Sequence, residues 1–125
     1  MEKRKILDTC NGLQHIGIPT GDMEKTCAFY TELGFEKIYE TRLSEVQRVV
    51  FLRFSNLVLE CYEGECAGRA GAVDHIAIDC RDVEAAYALA KEKGYSIVSD
   101  GMEELPFWEK GVRFFTMEGP DAVKV

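Results

Sequence analysis

The sequence predicts an α+β fold made of two paired βαβββ modules, and an internal repeat is the main reason. The segment from Leu13 to Phe35 returns sixty residues later, without a gap, as Val73 to Tyr95. A repeat of this kind marks a supersecondary unit whose exposed face is covered by its neighbour. The aligned positions include the chain's only two histidines, and they are His15/His75, Ile16/Ile76, Ile18/Ile78, Asp22/Asp82, Glu24/Glu84, Ala28/Ala88, Glu32/Glu92 and Gly34/Gly94.

In the first module, apolar alternation predicts a strand from Leu13 to Ile18, with Ile16 and Ile18 on one face and His15 on the other. Asp22 has the position of a helix N-cap, and Gly34 suits the end of that helix. Three strands are then expected, at Glu36 to Thr41, Arg48 to Phe54 and Leu57 to Tyr62, the last two joined by a tight turn at Ser55-Asn56.

The second module repeats this order. We expect a strand from Val73 to Asp79, a helix between Asp82 and Gly94, and strands at Tyr95 to Ser99, Val112 to Met117 and Ala122 to Val125. Gly101 to Gly111 is expected to be the only long loop. The 125 residues, of which 46% are hydrophobic, suit one domain spanning 1–125, with modules at about 12–62 and 72–125.

Composition restricts the partners and the compartment. The net charge is −7 and the fifteen lysines and arginines are scattered, so neither nucleic acid nor an anionic membrane is an expected partner. The N-terminus lacks the apolar core of a secretory signal. The odd number of cysteines, without zinc-like spacing, favours reduced thiols in a cytoplasmic protein over disulfides or thiol catalysis; they are Cys10, Cys27, Cys61, Cys66 and Cys80.

Strand geometry places three ligand-type side chains on one open surface. Glu60 shares a strand face with Val58 and Tyr62, and the same alternation directs His15 and His75 away from their helices. Two imidazoles and a carboxylate suit Zn²⁺, Ni²⁺, Fe²⁺ or Mn²⁺ better than Ca²⁺ or Mg²⁺. The alternative is that the histidines are ordinary strand residues retained from a duplication and that Glu60 is a solvated strand residue.

These residues resemble the vicinal oxygen chelate (glyoxalase/bleomycin resistance/dioxygenase) superfamily, and most of all small bacterial proteins of the glyoxalase I (lactoylglutathione lyase) type. The resemblance rests on a histidine opening each βαβββ module and on Glu60 in Leu-Val-Leu-Glu, and it covers Leu13 to Val125. It implies a curved, barrel-like mixed sheet with helices outside. It also implies one divalent metal, Zn or Ni with Fe or Mn as alternatives, held by His15, Glu60 and His75. The family's fourth ligand, a glutamate that is also the proton-transfer base, would lie just past Val125.

The resemblance further implies an enzyme that converts the hemithioacetal of a 2-oxoaldehyde and a thiol into a 2-hydroxyacyl thioester through a metal-stabilised enediolate. Glu60 is then the catalytic carboxylate within the chain. It favours this type because extradiol dioxygenases and fosfomycin-resistance enzymes have no carboxylate at that position, and epimerases typically have glutamine. A small-molecule (antibiotic-type) binding module, or an epimerase or dioxygenase relative, is the alternative.

Four side chains are candidates for contacting a small-molecule substrate: Arg53, Phe107, Trp108 and Arg113. The arginines could equally be solvated strand residues, and the aromatic pair could either line the pocket near His75 or plug the core. Unpaired strand edges and an open face that needs a cover predict a symmetric homodimer.

Overall fold

The computed structural model describes residues 3–9, 11–69, 71 and 73–125. Two short 3-10 helices, Ile6–Thr9 and Pro120–Ala122, lie near the two ends of the described part. No helix in these ranges is both long enough and apolar enough to cross a bilayer. The remaining elements are β1 (Ile16–Thr20), α1 (Met23–Leu33), β2 (Glu36–Ser44), β3 (Gln47–Phe54), β4 (Leu57–Glu63), α2 (Val83–Glu92), β5 (Ser96–Ile97), β6 (Glu103–Leu105), β7 (Val112–Phe114) and β8 (Met117–Glu118).

The first half forms the predicted β-α-β-β-β order in one four-stranded sheet. Its strand order is β1-β4-β3-β2; β1 runs parallel to β4, and the other two pairings are antiparallel. The Ser55-Asn56 turn joins β3 to β4, and Ser55 has a φ of 53°. A mixed sheet with two helices confirms the predicted α+β class.

Helix α1 begins and ends where the sequence predicted. The Asp22 side chain accepts a hydrogen bond from the Lys25 amide at 3.1 Å, and Gly34 ends the helix with a φ of 123° that L-residues rarely adopt. A buried hydrogen bond of 2.7 Å joins the hydroxyls of Thr20 and Thr26 and so ties the end of β1 to the helix. These contacts fix β1, and hence His15 beside it, relative to the helix.

The core lies between α1 and one face of the sheet. Leu59 and Cys61 are fully buried there, and Ile76 from the second repeat joins the same cluster. Full burial of side chains of this size contributes about 1.5–3 kcal/mol each. The other members are Ile18, Met23, Tyr30, Phe35, Val50 and Leu52. Because residues alternate along β4, Val58, Glu60 and Tyr62 occupy the opposite face, and all three are partly exposed.

In the second half, α2 forms with Asp82 as its N-cap, accepting from the Ala85 amide at 3.0 Å. The predicted strand from Val73 to Asp79 is wrong, since only His75 forms an isolated bridge, with Lys124. The reason lies in its neighbour. Val123 and Val125 use their backbone groups on Gly119 and Met117, so Lys124 is the residue that faces this segment, accepting from the Ile76 amide at 3.1 Å.

The remaining predicted strands are shorter than expected. The strand predicted at Tyr95 to Ser99 is reduced to β5, and the one predicted at Val112 to Met117 is divided into β7 and β8. The Ser99 hydroxyl accepts from the Thr116 amide at 2.9 Å, where a longer ladder would need a backbone carbonyl. At the C-terminal end, Ala122 has a φ of 62° and belongs to the 3-10 helix, so the strand predicted from Ala122 does not form.

The prediction of an unstructured loop from Gly101 to Gly111 is also wrong in part. Strand β6 lies inside it and pairs with β7, with Leu105 opposite Val112. The chain reverses between these strands through Trp108 and Gly111, which have φ values of 59° and 72°. The strands of the described part therefore form one four-stranded and two two-stranded sheets, and they do not close a barrel.

Candidate metal site

His15 and Glu60 meet on the open face of the four-stranded sheet. In the parallel pairing of β1 with β4, Gly17 lies opposite Glu60, and His15 precedes Gly17 by two positions on the same face. His15 Nε2 is 3.9 Å from Glu60 Oε1, and their side chains are 36% and 30% exposed. This separation is too long for a hydrogen bond and short enough for one cation to contact both atoms.

Gly17 keeps the space above this pair open. A Cβ at that position would lie 3.9 Å from Glu60 Oε1 and 3.5 Å from Tyr62 Cε1, so a larger side chain would project into the approach to the carboxylate. The second repeat has Ala77 at the equivalent position. The sequence analysis did not identify Gly17, although the difference between the two copies was a usable signal.

An aromatic surface adjoins the pair, and sequence reasoning missed it. Phe51 lies opposite Glu60 in the β3–β4 pairing, and its ring makes an edge contact with His15 at a centroid distance of 5.8 Å. Tyr39 follows on β2, with its ring 6.0 Å from that of Phe51. The period-two alternation Val49, Phe51, Arg53 was the signal that could have found this surface.

The two candidate arginines have different positions. Arg53 lies on the same face of β3 as Phe51, with its guanidinium 3.9 Å from the Glu36 carboxylate. Arg113 lies in the second half, bonded to the Glu84 carboxylate and 3.3 Å from that of Glu104. The hydrogen bond to Glu84 is the main cause that raises the pKa of Arg113, and the negative charge of Glu104 adds to it. The structure therefore places Arg53 near the His15–Glu60 pair and Arg113 in an ion-pair cluster of its own.

His75 does not join His15 and Glu60 within one chain. Its side chain is 59% exposed, and its Nδ1 lies 3.0 Å from Asp74 Oδ2. It borders a cleft of about 440 Å³ shared with Ile16 and Leu57, whose side chains belong to the helix-facing side of the sheet. In the described part of the chain, no three His, Cys, Asp or Glu side chains are gathered as a metal site. One chain thus brings together two of the three predicted ligands.

Phe107 and Trp108 line a wider cleft together with His75 and Arg113, and the cleft volume is about 1390 Å³. The two aromatic rings are in edge contact at 6.0 Å. Trp108 is 83% exposed and Phe107 is 51% exposed. Such exposure excludes the alternative in which Trp108 plugs the core, and leaves the pair at the rim of the cleft that contains His75.

Among the described residues, Cys27, Cys61, Cys66 and Cys80 form no disulfide, and Cys10 lies outside the described residues. Burial raises the pKa of Cys61 to about 12 and also raises that of Cys27. The pKa of Cys66 is raised chiefly by its hydrogen bond to the Asp121 carboxylate. These three thiols are therefore protonated at neutral pH and are poor nucleophiles.

The donor set fits a first-row divalent metal. Imidazole nitrogen and carboxylate oxygen, as at His15 and Glu60, are ligand types that Zn²⁺, Ni²⁺, Fe²⁺ and Mn²⁺ accept. The imidazole of His75 is exposed but borders a different cleft of the same chain. The open face, the space above Gly17 and the aromatic surface give a small molecule access to the same point. The ligand-type pair and the aromatic surface therefore lie side by side on one accessible face.

The chain is similar in sequence to known proteins. The model of the Glyoxalase/Bleomycin resistance protein/Dioxygenase superfamily matches residues 12–121. The uncharacterized protein YwbC of Bacillus subtilis (strain 168) is 28% identical over 117 residues, 87% of this chain and 90% of YwbC.

Solved structures show the same fold at lower sequence identity. A glyoxalase family protein from Enterococcus faecalis superposes with a TM-score of 0.71 at 20% identity, covering 92% of this chain and 94% of that one. The fosfomycin resistance protein FosX from Listeria monocytogenes, in complex with Mn(II) and sulfate, gives 0.68 at 20% identity, covering 93% and 89%.

Proposed function

Because the chain belongs to the Glyoxalase/Bleomycin resistance protein/Dioxygenase superfamily, we propose that it is a metal-dependent lyase or isomerase of the glyoxalase I type. Its substrate would be the hemithioacetal of a 2-oxoaldehyde and a thiol, and its product a 2-hydroxyacyl thioester. Residues 1–125 act in this proposal as one domain, located in the cytoplasm. The metal is one divalent ion, Zn or Ni, with Fe or Mn as alternatives.

The observation that carries the proposal is the position of Glu60. A carboxylate on a strand between two fully buried neighbours, Leu59 and Cys61, is directed onto the open face 3.9 Å from a histidine. A binding surface for an apolar molecule has no need of this carboxylate, and partial burial of a charge is unfavourable without a partner. A metal-assisted proton transfer uses it directly.

Each residue has a defined task. His15, Glu60 and His75 would hold the divalent cation, which would supply the positive charge that stabilises negative charge developing on the substrate oxygens. Glu60 is the carboxylate that the chain offers for taking the carbon-bound proton and returning it to the neighbouring carbon. Phe51 and Tyr39 lie beside it, where their rings exclude water from one side of the substrate. Arg53 and the Phe107–Trp108 rim supply further substrate contacts.

The proposal includes a symmetric homodimer. A single chain leaves His75 apart from the His15–Glu60 pair, and the open face exposes the aromatic side chains of Tyr39 (58%) and, in part, Phe51. A second copy placed over this face covers those side chains and can bring its own His75 to the pair. Sedimentation is expected to show a dimer at micromolar concentration, and a stable monomer there would contradict this part of the proposal.

A second candidate function has one observation in its favour. The aromatic surface of Phe51 and Tyr39 is accessible without any metal, which suits a module that sequesters a small hydrophobic molecule, such as an antibiotic. This reading requires neither Glu60 nor the histidines. The binding module and the glyoxalase I-type enzyme are therefore distinguished by whether their function requires a metal.

The deciding experiment combines metal analysis with an activity assay. The purified protein is stripped with a chelator, titrated with Zn²⁺, Ni²⁺, Fe²⁺ and Mn²⁺, and assayed for hemithioacetal isomerisation after each addition. Uptake of one metal per site with metal-dependent turnover is expected. A protein that takes up none of these metals, yet binds small hydrophobic molecules, would refute the enzyme proposal and support the binding module.

A further inference from the structure

Both candidate ligand histidines are held in the same way, each by the residue immediately before it. The Nδ1 of His15 contacts the side-chain oxygen of Gln14, and the Nδ1 of His75 lies 3.0 Å from Asp74 Oδ2. Gln14 and Asp74 occupy equivalent positions in the repeat, sixty residues apart. Both lie on the exposed surface.

These contacts specify the state of each imidazole. An amide oxygen and a carboxylate only accept hydrogen bonds, so Nδ1 must be the donor in both rings. In a neutral imidazole, a proton on Nδ1 leaves Nε2 with its lone pair free. At His15 that nitrogen is the atom 3.9 Å from Glu60 Oε1, so the free lone pair lies beside the candidate site.

We propose that Gln14 and Asp74 are positioning residues that hold His15 and His75 as Nδ1-protonated tautomers and thereby offer each Nε2 to a divalent metal. A metal-ligating histidine commonly donates its other N–H to a carboxylate or carbonyl, which fixes the ring and raises its basicity. The inference rests on the proposed metal site and adds to it two residues that touch neither metal nor substrate.

The two acceptors differ in how strongly they polarise the imidazole that they contact. Gln14 is neutral, whereas Asp74 is a carboxylate whose oxygens are divided between two partners: Oδ2 contacts His75, and Oδ1 is 3.3 Å from Lys124 Nζ. Lys124 also forms the backbone bridge to His75, so the same residue contacts both the backbone at His75 and the Asp74 carboxylate. A charged acceptor polarises an imidazole more than an amide does, so His75 is the stronger metal donor of the two.

The test begins with metal-free protein labelled with ¹⁵N. Long-range ¹H–¹⁵N spectra, recorded above the titration range of histidine, report which ring nitrogen carries the proton. Both histidines are expected as the Nδ1–H tautomer in the wild type. Asp74→Ala is expected to lose it at His75 alone, and Gln14→Ala at His15 alone. Asp74→Asn retains an acceptor oxygen and is expected to retain the tautomer. Tautomers that are unchanged in both alanine variants would overturn the inference.

Metal titration supplies the second readout. Asp74→Ala is expected to weaken Zn²⁺ binding by about 10- to 100-fold, and Asp74→Asn by less. Asp79→Asn is the matched control, since it removes the same charge from the same exposed segment and is expected to bind as the wild type does. An equal loss in Asp79→Asn would mean that net charge is responsible and would contradict the assignment. No metal uptake by the wild type would refute the proposed function, while the tautomer spectra would still decide the positioning role.

Discussion

Replacement of Glu60 by glutamine is the sharpest test of the candidate site. Glutamine keeps the size and the shape of the side chain, so the pairing of β4 with β1 at Gly17 is maintained. Leu59 and Cys61 on the other face are not altered and continue to hold the strand against α1. What the substitution removes is one negative charge and one strong oxygen donor.

The magnitude follows from charge and exposure. Two unit charges about 4 Å apart interact by about 4 kcal/mol near a protein surface. A divalent ion bound to Glu60 would carry twice that charge at about half that distance, while the 30% exposure of Glu60 screens part of the gain. Since 1.4 kcal/mol corresponds to a factor of ten, Glu60→Gln is expected to weaken metal binding by on the order of 1,000-fold.

The measurement is a competition titration of the chelator-treated protein with a metal-sensitive dye, followed by the hemithioacetal assay at saturating metal. Turnover is expected to fall even when the metal is saturating, because the proton-accepting carboxylate is gone. Glu45→Gln, in the exposed turn between β2 and β3, removes the same charge and is the control. A Glu60→Gln protein with wild-type metal affinity and wild-type turnover would refute the assignment of Glu60.

Three further predictions concern stability and the cleft. Leu59→Ala is expected to lower the free energy of unfolding by about 2–5 kcal/mol in urea denaturation, because the side chain is fully buried; Leu43→Ala, at 73% exposure, should change it little, and equal effects would contradict the assigned core. Hydrogen bonds from Arg48 and Lys37 lower the pKa of Glu40 to about 2, so their stabilisation is present above the ordinary glutamate pKa and lost as pH falls toward 2. The stability difference between the wild type and Glu40→Gln should therefore shrink between about pH 5 and pH 2, and a constant difference would disprove this origin. Trp108, 83% exposed, should fluoresce like a solvated indole and shift to the blue when a hemithioacetal binds; an unchanged spectrum would remove it from the pocket.

The first half of the fold was predictable because its signals are local. Asp22 and Gly34 fix the two ends of α1 through their own backbone and side-chain chemistry. Alternation along β4 assigned Leu59 and Cys61 to the helix side and Glu60 to the open side without knowledge of any neighbour. The sequence was sufficient to predict a residue's position where that position depends only on the residue's own strand or helix.

The structure of the second half depends on which backbone segments pair as strands, and the internal repeat does not predict that pairing. The Val73 to Asp79 segment has the same alternation as its counterpart around β1, yet β1 pairs along its whole length with β4 and the later segment has only Lys124. A strand needs an extended partner, and the partner here is interrupted by the 3-10 helix Pro120–Ala122, so that Lys124 is the residue of 123–125 that bonds to this segment. Sequence similarity between the two copies therefore predicted the helix α2 correctly and the strand before it incorrectly.

The candidate site also has a part that the sequence predicted, His15 and Glu60, and a part that it did not, the position of His75. His15 and Glu60 meet because His15 directly precedes β1, whose parallel register with β4 is fixed by buried neighbours, and alternation alone was enough to put the two side chains on one face. His75 was assigned to the same face by alternation, with Ile76 facing its own helix. Ile76 instead joins the core cluster that contains α1 residues, and His75 borders a different cleft, shared with Ile16 and Leu57. The repeat preserves what is next to each histidine, including the acceptor on its Nδ1, because that contact lies within two consecutive residues. Which other donors each histidine faces is decided by packing between the copies, and packing is the part of the structure that a sixty-residue offset does not encode.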